Sequence, residues 1–440
     1  MAERLGYARR RGIPAAVVAL TLALTGCTGG GVDPVSQFDP VDAPLADELA
    51  ANLEAVLDQA VALSGSSGGV AGAWAPWSGE WTGASGTVDF SEGAVAVKTD
   101  TEFRITTVTT EITCTILLRL ADAGEVSLDD EVEEYVDWIP GLDGITLEQL
   151  CRHTSGLADY YPSLRSHFVS NPQRNWPANE LLSNGLALSR VGPPGEVVRE
   201  SRTGLMLLTA ALERRTNQSW SELAERYVYD PLGLEETRIP PPDQMEHPGV
   251  LAAYSASIAQ NGAIDCAVLV DDTAQSSSTG GPAAGAVSNL EETARLNEAF
   301  ATGALVSEAT ARRQWTTVPL GGSAPAWQSA GIGAQQYGPM RGAAGESIGS
   351  LSAAFTDPET GLTVVVALNN STSGAEFVRE VAFALASLAS KAAPAEGHEL
   401  PLVELPWSVD QATTKMQELA KCPPPAEAPA EAPAEAPTEG

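Results

Sequence analysis

The chain has 440 residues, 43% of them hydrophobic and 19% charged, with 41 Gly and 30 Pro; this is a globular composition, long enough for one large domain or two smaller ones. Acidic residues number 57 against 25 basic ones, a formal charge of -32, which argues against nucleic acid and anionic lipid headgroups as direct partners because both would be repelled. Only four lysines occur: Lys98, Lys391, Lys415 and Lys421.

Residues 1–26 read as a processing signal rather than as structure. Arg9, Arg10 and Arg11 form a basic start, and Ile13 to Leu24 is apolar but shorter than the roughly 20 residues a spanning helix needs. Leu24-Thr25-Gly26-Cys27 resembles the bacterial lipobox. That resemblance implies a diacylglycerol on Cys27, export, and attachment to the outer face of the bacterial membrane. The alternative is a plain secretory signal with an incidental Cys; the sequence does not choose between Sec and twin-Arg export. Residues 27–45, rich in Gly, Asp and Pro, read as a spacer.

Apolar positions at helical period predict a helix over Ala46–Ala62. Gly69–Trp77 and Glu80–Val88 read as two strands joined at Ser78-Gly79. Val108–Ala123 reads as a long helix stopped by Gly124. Helices are expected over Thr203–Arg215 and Ser219–Tyr229, and a surface loop over Asn261–Ala284, which is rich in Gly, Ser and Asp. Ile348–Phe355 and Leu362–Asn369 read as strands around an Asp357-Pro358-Glu359-Thr360-Gly361 turn, and Ala375–Leu388 as a closing amphipathic helix. The order predicts an α/β sandwich with an all-helical second lobe, built from residues 46–392, followed by a C-terminal extension over 393–422. Residues 423–440 repeat Ala-Pro-Ala-Glu and cannot bury apolar surface, so they read as a disordered or extended tail.

With Cys27 assigned to lipid, Cys114, Cys151, Cys266 and Cys422 remain. An even number in an exported chain suggests two disulfides, buried free thiols being the alternative, and the sequence leaves the connectivity open. The histidines, His153, His167, His247 and His398, have no metal-type spacing, and no phosphate-cradling Gly loop stands out, so neither metal nor cofactor is expected. Trp74, Trp77 and Trp81 read as hairpin or core packing, with glycan binding as the alternative.

From Thr101 to Leu157 the chain resembles the serine β-lactamase and D,D-peptidase family, its class C and esterase branch in particular. The resemblance rests on Phe103-Arg104-Ile105, Leu128-Asp129-Asp130 with Val132 and Tyr135, Ile145-Thr146-Leu147, and His153-Thr154-Ser155-Gly156-Leu157. Further matches in order are Pro194-Gly195, Gly204, Asp230-Pro231-Leu232-Gly233-Leu234, Ala283-Ala284-Gly285 and the Asp357–Gly361 turn. It implies an antiparallel sheet flanked by helices, and adjacent helices carrying Cys114 and Cys151, hence Cys114–Cys151 with Cys266–Cys422.

The resemblance also locates three catalytic constellations, and the chain departs from each. The family's Ser nucleophile and the Lys one helical turn on, its base, fall on Thr107 and Thr110. Thr110 has no basic nitrogen, and a hydroxyl is a poor nucleophile until a base takes its proton. The family's Tyr-x-Asn falls on Glu200-Ser201-Arg202. Its Lys-Thr-Gly, framed by Tyr337, Gly338, Gly342 and Gly345, is expected at Pro339-Met340-Arg341, where Pro339 supplies no cation. The reading is a catalytically inactive scaffold, a monomeric binding or interaction module for a peptide, a peptidoglycan fragment or a protein at the envelope. Arg202 or Arg341 would grip a carboxylate, or Glu200 would simply pair with an Arg. The alternative is a repurposed hydrolase with Thr107 as nucleophile and Glu200 or Glu111 as base.

Overall fold

Thr363–Leu368 has an uninterrupted run of β-branched and aliphatic residues and lies at the centre of a sheet, covered on both faces. Period-2 alternation divides it: Val364 and Val366 join one hydrophobic cluster, Val365 and Ala367 the other. This computed structural model describes residues 37–244, 247–259 and 262–422. The signal over 1–26, Cys27, most of the spacer and the tail over 423–440 lie outside the described residues.

The sheet has eight strands in the order Gly79–Gly86, Gly68–Ala75, Thr363–Leu368, Ser350–Thr356, Met340–Ser347, Gln335–Tyr337, Gln328–Ala330 and Val318–Pro319. Every neighbouring pair is antiparallel. Helices Asp47–Ser64 and Ala375–Ala389 cover one face through Leu53, Leu57, Phe377 and Val381. The helix Val409–Leu419 packs on the same side through Ala412 and Met416, and Trp407 stacks on Phe383 with ring centroids 3.9 Å apart. The other face meets the helical lobe, centred on the helix Thr109–Asp122. The antiparallel sheet with a helical lobe is as expected, and the predicted strands and helices recur with ends shifted by one or two residues.

Two readings change. The stretch expected to be a surface loop over 261–284 contains the strand Ile264–Asp271, paired with Tyr254–Ile258. Its Ala-Val-Leu-Val run carries β-propensity that the flanking Gly, Ser and Asp masked. The Ser- and Gly-rich part beyond it is interior, with Asp272, Ser276 and Thr279 buried. The helix expected over Ser219–Tyr229 is α-helical only for Trp220–Ala224 and then widens into a π-turn over Glu225–Tyr229.

Both disulfides form with the pairing implied by the resemblance, Cys114–Cys151 and Cys266–Cys422. The first is fully buried and ties the central helix to Leu147–Cys151. It closes a loop with a sequence separation of 37. Replacing both cysteines of that pair by serine is expected to lower unfolding free energy by about 3–4 kcal/mol through the entropy of the unfolded chain; denaturant titration checks this.

On the central helix a carboxyl group breaks the apolar pattern. Glu111 is fully buried on the central helix; its Oε1 accepts from Asn297 Nδ2 at 2.9 Å, and its Oε2 has no partner among the described residues. Burial holds its pKa well above the usual 4.5, partly offset by the Asn297 bond. The folded protein therefore binds this proton more tightly than the unfolded chain. The group's contribution to stability is full below the unfolded pKa of about 4.5 and is lost as pH rises towards the folded value, by at most about 1.4 kcal/mol per unit. Glu111→Gln is expected to remove that slope and raise the melting temperature at pH 8 more than at pH 4, as thermal melts across pH would record.

Candidate functional site

A short 3-10 turn, Thr106–Val108, leads into the central helix. Thr106 there has φ of 44°, a left-handed conformation that is an outlier for a β-branched residue and costs on the order of 1–3 kcal/mol. It is held by full burial and by a 2.6 Å hydrogen bond between its Oγ1 and Ser352 Oγ. The turn presses the half-buried Thr107 side chain against the strand Met340–Ser347. At Gly345 a Cβ would lie 1.9 Å from Thr107 Oγ1 and 2.3 Å from its Cβ, so only glycine fits opposite this threonine.

This contact corrects the expected position of the third constellation. Ala343-Ala344-Gly345, and not Pro339-Met340-Arg341, runs beside Thr107. Pro339 lies in the tight turn between the paired residues Tyr337 and Met340. Arg341 lies four residues from Gly345, about 13 Å along a strand. Its guanidinium sits 4.5 Å from the Trp315 ring centroid and its Nη1 donates to Ala301 O at 2.9 Å. Burial lowers its pKa to about 10, and it does not line the cavity at Thr107. The strand's register with Ser350–Thr356, closed by the tight turn at Ile348-Gly349, fixes which glycine faces Thr107. Counting back from that turn was the signal available in the sequence; Tyr337 ends the preceding strand and Gly338 lies in the turn after it.

Thr110 is buried one helical turn beyond Thr107, and its Oγ1 donates to Ala283 O at 3.2 Å. None of the four lysines lines the cavity, and all are exposed. The cavity is lined by Thr107, His153, Glu200, Gln335, Ala343 and Ala344 among others, and its volume is about 20 Å³, room for about one water. Arg152 also lines it but is committed to Thr316 O, Ala330 O and Glu148.

Glu200 keeps exposed surface at the mouth, yet protein crowds its carboxylate. That desolvation raises its pKa, partly offset by Arg202, and Oε1 accepts from Gln335 Nε2 at 3.2 Å. His153 adopts φ of 57°, and its Nδ1 accepts the Ser201 N–H at 3.3 Å. Burial, helped by Arg202, pulls its pKa down to about 4, so the ring is neutral at pH 7. The sequence marked His153 only as part of the His-Thr-Ser-Gly-Leu match; the geometry adds it to the cavity wall.

Arg202 is brought to the same region but is fully engaged. Its Nη2 donates to Glu346 O at 2.8 Å, its Nη1 pairs with Asp159 Oδ2 at 3.4 Å, and its guanidinium lies 3.6 Å from the Tyr161 ring centroid. Asp159 and Tyr161, which the sequence did not single out, thus lock the helical lobe to the end of the strand that carries Gly345. Ser201 caps the helix Arg202–Thr216 by accepting from Gly204 N. Among the described residues no group of His, Cys, Asp and Glu has the arrangement to hold a metal ion.

The family model described as Beta-lactamase matches residues 53–389. Penicillin-binding protein 4* of Bacillus subtilis is 28% identical over 149 residues, 32% of this chain and 32% of that protein. The D-alanyl-D-alanine-carboxypeptidase/endopeptidase AmpH of Escherichia coli K12 is 31% identical over 152 residues, 33% of this chain and 39% of that protein. The matches thus span about a third of these curated relatives. Among solved structures, a D-stereospecific amidohydrolase from Streptomyces superposes with a TM-score of 0.66 at 25% identity, over 76% of this chain and 98% of that one. A penicillin-binding protein from Bacillus halodurans shares the fold with a TM-score of 0.62 at 19% identity, over 78% and 100%. With its fold, its strained turn before Thr107 and the family model spanning most of its length, the chain belongs to the Beta-lactamase family.

Proposed function

We propose that this chain uses the β-lactamase-like scaffold without its chemistry, as a binding or interaction module attached to the cell envelope through lipid on Cys27. One observation carries the reading: a hydroxyl side chain, Thr110, stands where the resemblance calls for an amine, and it is spent on Ala283 O. Among the described residues no amine and no unengaged guanidinium lines the cavity. Losing a general base typically lowers rate by about 10²–10⁴. The cavity of about 20 Å³ is also far below the roughly 300 Å³ at which small-molecule pockets begin. The carboxylate-gripping role for Arg202 loses support because Asp159, Tyr161 and Glu346 O already engage it. Arg341 loses it because it faces Trp315.

A specific observation favours a second reading, hydrolysis by Thr107 with Glu200 as base. Both line the cavity, and burial raises the Glu200 pKa in the direction a base needs. Glu111 is the weaker base, since it is fully buried, its Oε1 is bonded to Asn297, and it does not line the cavity.

Two measurements separate these readings. Incubated with a peptide ending in D-Ala-D-Ala and, separately, with a p-nitrophenyl ester, the full chain is expected to release neither D-alanine nor nitrophenol above the rate of Thr107→Ala. Turnover that Thr107→Ala and Glu200→Gln each reduce by about 10²-fold or more, with a rate rising through the Glu200 titration, would support the hydrolase instead.

A further inference from the structure

A groove of about 500 Å³ shares no lining residue with the Thr107 cavity and is within the size range of small-molecule sites. One wall is the strand end carrying Trp74 and the turn to Glu80; the other is the helix Leu290–Thr302. Glu291, Ala294 and Arg295 present one helical face to it, at spacings of three and four residues. Pro40 and Pro76 add apolar surface.

The chemistry of this groove is uneven. Trp74 is half-buried, its ring lying over Gly72, where an added Cβ would come within 2.3 Å of the indole. That glycine lets the ring lie flat along the sheet with one part facing the groove. Glu80 and Glu291 are exposed carboxylates on opposite walls, with no ion pair among the described residues. Arg295 lines the groove as well and is held by its Nη1 donating to Leu232 O and Gly233 O, at 3.2 and 3.0 Å; one guanidinium thus stands against the two carboxylates. An indole that lines a groove together with two carboxylates, Glu80 as its cross-strand partner and Glu291 on the helix, complements an alkylammonium group: the ring quadrupole and the acids attract the charge, and the ring covers the methylene stem.

We propose that this groove is a second binding site, for the amine-bearing side chain of a lysine-type peptide, with Trp74 against its methylenes and Glu80 and Glu291 about its ammonium. The site is independent of any residual chemistry at Thr107.

The test is calorimetric titration of the full chain with acetyl-trilysine amide, alongside the trialanine and triglutamate analogues. The expected result is saturable binding of the lysine peptide alone, weakened about three- to tenfold in Trp74→Leu and in Glu291→Gln. Glu418→Gln, on the helix covering the opposite sheet face, should leave it unchanged. Glu291→Gln is an exposed change and guards against loss of fold in Trp74→Leu. Absence of binding, or equal affinity in Trp74→Leu, Glu291→Gln and Glu418→Gln, would overturn the proposal, the latter marking mere attraction to an acidic protein. Binding that emerges only when Pro34 and Val35 are replaced by glycine would assign the groove to the chain's own residues before Gln37, and would overturn it as well.

Discussion

Between Thr107 and the backbone of Gly345 there is room for a hydrogen atom and nothing larger. This contact fixes how the helical lobe meets the sheet. It needs the left-handed turn at Thr106, which the buried bond to Ser352 sustains. It also needs a glycine at one position of an eight-residue strand. A strained turn that presents a hydroxyl to a strand edge is an expensive arrangement, of the sort usually found where chemistry occurs. One turn along the helix, at the position where the resemblance calls for nitrogen, stands Thr110, bonded to a carbonyl.

The polar groups around that contact are bonded to other parts of the protein. Arg202 spans Asp159, the Tyr161 ring and Glu346 O, so this cation is engaged by the protein itself. His153 is neutral and accepts a backbone N–H. The Cys114–Cys151 bond lies behind the wall, where Gly333 approaches Cys114 closely enough that a Cβ would sit 2.6 Å from it. Each of these ties rigidifies the lobe boundary, and none leaves a group poised to move a proton between water and Thr107. Glu200 lines the same cavity from a partly open position, with its pKa raised by desolvation.

Much of this was legible in the sequence, for identifiable reasons. The strands around Asp357–Gly361 and the central helix announce themselves through period and turn chemistry, and the gapless run from Phe103 placed Thr107 and Thr110. Counting from Pro194-Gly195 placed Glu200 and Arg202. The third constellation failed because two glycine-containing turns, Gly338-Pro339 and Ile348-Gly349, flank the same strand, and only pairing with Ser350–Thr356 tells which residue meets Thr107. The hairpin at Ile264–Asp271 was hidden because polar flanks outweighed a short β-branched run. Asp159, Tyr161 and Gln335 were not readable, since their importance lies in contacts between segments far apart in the chain. The groove at Trp74 likewise depends on a helix more than two hundred residues away along the chain.

The central claim is that Thr107 stays un-ionised and unreactive for want of a base. Intact-protein mass spectrometry after hours with excess benzylpenicillin, at pH values from 5 to 9, tests this most directly. The account predicts an unchanged protein mass at every pH. A penicilloyl adduct that fragmentation maps to Thr107 would contradict it.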